Sequence, residues 1–257
     1  MLSDVQLREA FHFCFLHRLL QISDIELYVL KGGVNLRFFF GSPRYSEDMD
    51  LDVVAGNVAT LKKNGYKILE DASFLRSLRV FDIAAIEVND PARAKHTETT
   101  QRFACSLLRG SGVRLPTRVE FSRRSDDPGD AARIELLDAS IARPYRKLAF
   151  RCRHYTGSAA LLQKIQALAG RAAPQARDVF DLNLLIRGGH FATAVAEGAL
   201  KGAPIQKAID SLLALHWPDY DGQVVEYLDA ENRGEFADRA GWVRLQNTVF
   251  EALQDHA

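Results

Sequence analysis

A chain of 257 residues, 47% hydrophobic and 26% charged, is long enough for one large or two small globular domains with a buried core. No apolar stretch reaches the ~20 residues that span a bilayer, and the N-terminus lacks the basic, apolar and small-residue progression of a secretory signal, so a cytoplasmic protein with no membrane partner is expected. Cys14, Cys105 and Cys152 are isolated, with no Cys-x-x-Cys or His-x-x-x-His spacing, and the histidines are scattered. A disulfide framework, a zinc site and Ser-His-Asp chemistry are thereby set aside in favour of buried reduced thiols.

In chain order, Val5 to Leu20 has helical spacing of Phe11, Cys14, Phe15 and Leu19 and predicts an amphipathic helix. Strands are expected at Glu26 to Leu30, Met49 to Val54, Leu78 to Val88, Arg102 to Leu108 and Thr117 to Ser122. Helical pieces are expected at Val34 to Phe40 and Val58 to Asn64. After Ala139 the pattern turns helical, with Ser158 to Ala169, Gln175 to Ile186, Thr193 to Lys207, Ile209 to Leu215 and Phe236 to Leu253. The expected fold is thus α/β (α+β) with a mixed sheet over residues 1–150, followed by a mainly helical domain over residues 151–257.

The densest chemistry lies in Arg44-Tyr45-Ser46-Glu47-Asp48-Met49-Asp50-Leu51-Asp52. A strand here points Asp48, Asp50 and Asp52 to one face and Met49, Leu51 and Val53 to the other. Same-side residues recur about every 6.6 Å, so the acids repel unless a cation lies between them. The local stretch offers only Arg44, so a divalent metal is the expected remedy. Hard oxygen ligands suit Mg²⁺ or Mn²⁺ and point to phosphoryl chemistry; a solvated acidic face is the plain alternative. Upstream, the strand ending at Leu30 runs through Lys31-Gly32-Gly33 into a helix. Such a turn lets backbone N–H groups approach a phosphate.

Further on, Lys164 lies six residues before the break that begins at Gly170, and Asp178 lies four after Pro174. In an antiparallel helical hairpin the two sit about 9 Å and 6 Å from the turn and can face one another. Asp178 and Asp181 share a helix face, and Arg177 is four residues from Asp181. A salt-bridge cluster fastening two helices would have the same spacing. The formal net charge is zero, yet Ala139 to Arg177 holds no acid and eight basic residues: Arg143, Arg146, Lys147, Arg151, Arg153, Lys164, Arg171 and Arg177. Such a tract can hold a polyanion, and Tyr145, Phe150, His154 and Tyr155 within it are candidates to stack on RNA bases. Pairing with the acidic Asp219 to Arg239 segment is the alternative.

Leu-Lys-Gly-Gly-Val-Asn-Leu followed by Arg-Tyr-Ser-Glu-Asp-Met-Asp-Leu resembles the first motif of the AbiEii-type nucleotidyltransferases. These are toxins of type IV toxin-antitoxin systems within the polymerase-β-like superfamily. Leu161 to Leu168 and Arg177-Asp178-Val179-Phe180-Asp181-Leu182 are similar to the family's lysine helix and Arg-Asp-x-x-Asp-Leu helix. The resemblance spans roughly Leu30 to Ile186. It departs from the superfamily in that Gly-Gly lies well upstream of the acids while Gly41-Ser42 stands nearer, so either pair could contact phosphate.

The resemblance implies metal carboxylates Asp48 and Asp50, phosphate contacts from Gly32, Gly33, Arg44, Ser46 and Lys164, and a site role for Asp178; Asp181 is assigned to structure and Asp52 to support. A third carboxylate is implied on a neighbouring strand. Glu120, between Val119 and Phe121, is the candidate, with Glu87 and Asp82 as rivals. The implied reaction transfers NMP from an NTP to RNA, at the 3′ end of tRNA, and inhibits growth until an antitoxin intervenes. A small-molecule nucleotidyltransferase, a kinase and a non-catalytic RNA-binding module remain as alternatives.

Overall fold

A computed structural model describes residues 2–89, 97–124 and 126–256. The chain divides into two compact units, one of residues 1–39 and 45–155 and one of residues 40–44 and 156–257.

The first unit opens with α1 (Asp4–Ile22), where Ser3 and Gln6 form a reciprocal capping box. Then come β1 (Tyr28–Lys31), α2 (Gly32–Phe39), β2 (Asp48–Val53), α3 (Val58–Leu69), α4 (Ala72–Leu78), β3 (Ile83–Val88), β4 (Thr100–Arg109) and β5 (Arg114–Arg123). The unit ends with β6 (Ala132–Leu136), the single-turn α5 (Ala139–Ala142) and β7 (Arg151–Tyr155). The seven strands form one mixed sheet in the order β3-β4-β5-β2-β1-β7-β6. β2 is central, antiparallel to β1 and parallel to β5. Its Met49, Leu51 and Val53 are buried in the core with Phe11, Phe15, Phe103 and Phe121, and the Phe103 and Phe121 rings meet edge to face at 5.1 Å. All three cysteines are buried and unbridged, and burial pushes the Cys14 thiol up to about 11.

The second unit contains α6 (Gly157–Gly170), α7 (Ala176–Arg187), α8 (His190–Ala196), α9 (Ile205–Leu213), α10 (Trp217–Gln223), the single-turn α11 (Arg233–Phe236) and α12 (Arg239–Gln254). α6 packs on α7, α8 and α9, and α12 closes over α7 and α9. Leu161, Ile165, Val179, Leu182, Leu212, Trp242 and Val249 are buried in it. Residues 40–44 join this unit through an Arg44–Leu228 bridge and the Asp229 N–H donating to Pro43 O at 3.0 Å. Among the described residues no helix is long and apolar enough to cross a membrane.

Several elements differ from expectation. The strand foreseen from Leu78 starts only at Ile83: Asp71 caps α4 by accepting from the N–H groups of Ser73 and Phe74, which carries Leu78 into helix, and Asp82 then turns at φ 69°. The helix foreseen at Thr193 to Lys207 is two, separated by Gly198 and Gly202 at positive φ and by Pro204. α12 starts at Arg239, because Asp238 caps it through the Gly241 N–H. β6 and β7 were not foreseen.

The aromatic residues of the basic tract are structural rather than stacking platforms, a correction to the expectation above. Tyr145, His154 and Tyr155 are buried, and Phe150 stacks on His17 with ring centroids 4.7 Å apart. Their apolar area gains more from burial in the core than from exposure to an RNA. Arg153 is buried too, with Asp127 at 2.6 Å. Arg143, Arg146 and Arg151 stay exposed.

Candidate functional site

In β2 the alternation of the sequence becomes geometry: Asp48 and Asp50 are partly open, while Met49 and Leu51 are buried. Parallel pairing with β5 sets Asp48 beside Arg118, Asp50 beside Glu120 and Asp52 beside Ser122. On the other side, antiparallel pairing with β1 sets Lys31 beside Asp50. Cross-strand partners project to the same face, so Asp48, Asp50, Glu120 and Lys31 lie on one surface of the sheet. Glu87 belongs to β3 and Asp82 precedes it, with β4 and β5 intervening before β2; at about 4.8 Å per strand this puts them roughly 14 Å away. Glu87 instead pairs with Arg114, and Asp82 with Arg109.

The acids are held by cations that the local sequence did not reveal. Arg118 Nη2 lies 2.7 Å from Asp48 Oδ2, and Arg102 Nη2 lies 2.6 Å from Glu120 Oε2. Asp52 is 2% exposed and binds Lys31 at 2.6 Å, Arg124 at 3.0 Å and the Tyr155 hydroxyl, which donates at 2.7 Å. Burial and acceptance by Asp52 push the Tyr155 phenol well above its ordinary range. The repulsion argument therefore does not by itself require a metal, because neighbouring strands supply the counter-charge. Arg118 was legible in one respect: it lies two residues from Glu120 in the same strand and hence on the same face.

Gly32 opens α2 at φ +69°, and a Cβ built there would lie 3.1 Å from Asp50 Oδ2. The turn thus needs glycine both for its left-handed backbone and for its approach to the carboxylate. Gly33 follows in the first turn of α2, whose leading N–H groups lack intrahelical acceptors. The Ser46 hydroxyl donates to Asp48 O at 2.8 Å and so borders the same strand entry.

Asp48 and Asp50 offer hard oxygen donors at adjacent same-face positions, with Glu120 in register. Mg²⁺ or Mn²⁺ is commonly bound by one or two carboxylates, with water and substrate phosphates completing the shell. The donor set fits such an ion, although among the described residues no three His, Cys, Asp or Glu side chains converge as a ready-made cage.

The helical unit holds the second cluster. The hairpin of α6 and α7 brings Lys164 Nζ to 2.9 Å from Asp178 Oδ1 and 2.6 Å from Asp181 Oδ2. Arg171 reaches Asp178 at 2.9 Å, and Arg44 Nη2 lies 3.0 Å from both oxygens of Asp181. Asp178 and Asp181 are fully buried. Burial alone would lower the Lys164 pKa, but Asp181 and Asp178 outweigh it and hold the ammonium above its ordinary range. Arg44, foreseen as a phosphate contact, is committed to Asp181, and Asp181 binds Arg44 and Lys164 rather than the Arg177 that its helical spacing offered. Ser42 is buried, with its hydroxyl accepting from Arg44 N at 3.3 Å, so Gly41-Ser42 shapes this segment.

The fold has relatives among solved structures. MenT4, a nucleotidyltransferase toxin from Mycobacterium tuberculosis H37Rv, aligns with TM-score 0.61 and 18% identity over 98% of this chain and 83% of its own. JHP933 from Helicobacter pylori aligns with TM-score 0.53 and 17% identity over 100% of this chain and 96% of its own. At such identities the likeness speaks for the fold. A search of curated proteins by sequence finds no match. The family model described as nucleotidyl transferase AbiEii toxin, type IV toxin-antitoxin system, matches residues 14–255, nearly the whole chain. Taken with the acidic strand and the lysine-aspartate hairpin, that match makes this chain a member of the AbiEii family of nucleotidyltransferase toxins.

Proposed function

We infer that this nucleotidyltransferase depends on a divalent cation, Mg²⁺ or Mn²⁺, held by Asp48 and Asp50, and that its acceptor is RNA, at the 3′ end of tRNA. The observation that carries this reading is the β2–β5 register, which sets Glu120 beside Asp50 on the face that Gly32 approaches. When bound, the cation neutralises charge on the phosphates and on the reacting oxygens. The protein's own groups do the rest. The backbone N–H groups at Gly32 and Gly33 contact phosphate oxygens, joined by the Ser46 hydroxyl once it turns from Asp48 O; Lys164, in the helical unit, is a point charge of the kind that suits a triphosphate. Asp178 fixes the direction of the Lys164 ammonium. Arg44 serves as a positioning residue through Asp181.

The acceptor hydroxyl attacks the α-phosphorus in line; its O–P bond forms as the bond to the bridging oxygen breaks, and pyrophosphate leaves. Glu120 either joins the metal ligands or takes the hydroxyl proton. Family membership implies an NTP substrate and an antitoxin partner. The exposed Arg143, Arg146 and Arg151 support an RNA acceptor, since phosphate neutralisation dominates such binding.

The test is incubation of the protein with Mg²⁺ and total tRNA, using each NTP labelled in turn at the α- and γ-phosphate. Label from the α-phosphate on tRNA, lost in Asp48→Ala, is the expected result and also names the base. Label from the γ-phosphate would mean a kinase. Absence of both would overturn the RNA acceptor.

A further inference from the structure

His12, in the middle of α1, has no part in the chemistry above, yet it is a polar side chain only 1% exposed. Its Nε2 lies 2.9 Å from Thr117 Oγ1, and the Thr117 hydroxyl donates to the carbonyl of Glu47 at 2.6 Å. A hydroxyl has one hydrogen, and this one is committed to Glu47, so the ring donates from Nε2. Burial, followed by the nearby Arg8 charge, pushes the imidazole down to about 3, which leaves it neutral in the working range. One turn earlier on the same face of α1, Arg8 Nε donates to Pro116 O at 2.9 Å.

Two members of this chain of bonds, Glu47 and Thr117, lead to Asp48. Glu47 is the residue before it, and the β2–β5 ladder begins only at the Asp48–Arg118 pair. The Glu47 carbonyl, at the entry of that ladder, accepts from the Thr117 hydroxyl. Thr117 in turn precedes Arg118, whose Nη2 lies 2.7 Å from Asp48 Oδ2. α1 thus grips the entry of β5 at Pro116 and Thr117, and through Thr117 the peptide that leads into Asp48.

We propose that His12, acting through the Thr117 hydroxyl, is a positioning residue for nucleotidyl transfer that sets the direction of the Asp48 carboxylate toward its cation. This rests on the reading of Asp48 and Asp50 as metal carboxylates. Groups that orient a metal's ligands typically matter about 10- to 100-fold in metal affinity or activity.

The variants are Thr117→Val and His12→Phe, which keep bulk and remove the hydrogen bond, with Thr117→Ser and His12→Gln as conservative rescues. Mn²⁺ affinity is read from the paramagnetic resonance of the free ion, alongside label transfer and thermal melting. Thr117→Val and His12→Phe should bind Mn²⁺ about tenfold more weakly and lose transfer in proportion, and the rescues should restore both. Wild-type Mn²⁺ affinity in a folded Thr117→Val would overturn the proposal. So would losses that follow the melting temperature in all four variants, since those would mark a purely structural role. If Asp48→Ala binds Mn²⁺ like the wild type, the metal reading itself falls and this proposal falls with it.

Discussion

Replacing Asp181 with asparagine removes one charge from the helical unit's ion-pair cluster while keeping the side chain's shape. The carboxylate is fully buried and meets Arg44 at 3.0 Å and Lys164 at 2.6 Å. Burial by itself would raise its pKa, but Arg44 and Lys164 outweigh burial and hold the carboxyl below its ordinary value. In the variant Lys164 keeps Asp178, whereas Arg44, 5% exposed, loses this carboxylate. Removing one partner of a buried pair costs about 3–5 kcal/mol, and the lower end applies because the asparagine oxygen still accepts a hydrogen bond. For a chain of this length that corresponds to a melting temperature lower by roughly 6–12 °C.

The pH window follows from the directions of the shifts. The Asp181 contribution is complete above the unfolded carboxyl value of about 3.9 and fades as pH falls through the lower folded value; the Lys164 contribution is complete below about 10.4 and fades as pH rises through its higher folded value. The deficit should therefore be constant between about pH 5 and 9. Thermal melts of wild type, Asp181→Asn, Arg44→Met and the double variant test this. The double variant, with neither charge left, should lose clearly less than the sum of the singles. A single variant melting within about 1 °C of wild type, or a strictly additive double, would refute the reasoning.

Gly32→Ala places a Cβ at φ +69° and 3.1 Å from Asp50 Oδ2; about 1–2 kcal/mol of backbone strain, together with a displaced carboxylate, should reduce label transfer about tenfold or more, and unchanged transfer would remove Gly32 from the site. Tyr155→Phe deletes a donor to the buried Asp52 and should cost about 1–2 kcal/mol in urea denaturation; no change would mean that Lys31 and Arg124 suffice. His12, neutral in the fold down to about pH 3, binds no proton where an unfolded histidine does. Its contribution is present above about pH 6.5 and is lost on acidification at up to about 1.4 kcal/mol per pH unit. Between pH 6 and 4, wild-type stability should therefore fall more steeply than that of His12→Gln, and parallel slopes would show the ring to be charged in the fold.

Local periodicity made several features legible. The acids of β2 alternate with core residues because a strand has a period of two, and the α6–α7 hairpin follows from helical spacing on either side of Gly170 to Pro174, which by itself pairs Lys164 with Asp178. β7 escaped notice because Arg153 and His154 are buried through ion pairs and hydrogen bonds, so its strand carries no apolar alternation. β6 lies at the sheet edge, where burial is partial and the pattern weak. The Tyr145 to Tyr155 aromatics read as RNA contacts from composition, which is silent on whether a ring faces core or solvent.

Residue types and short-range spacing picked out the acidic strand, the glycine turn and the lysine helix, and the resemblance of those motifs pointed to the family, because each is written within a few turns of chain. Strand order is not, since pairing is set by burial and ladder complementarity across the whole sheet. Only the tertiary structure set Glu120 beside Asp50, put Arg118 on Asp48, committed Arg44 to Asp181 across 137 residues of sequence, and brought His12 to Thr117 across 105.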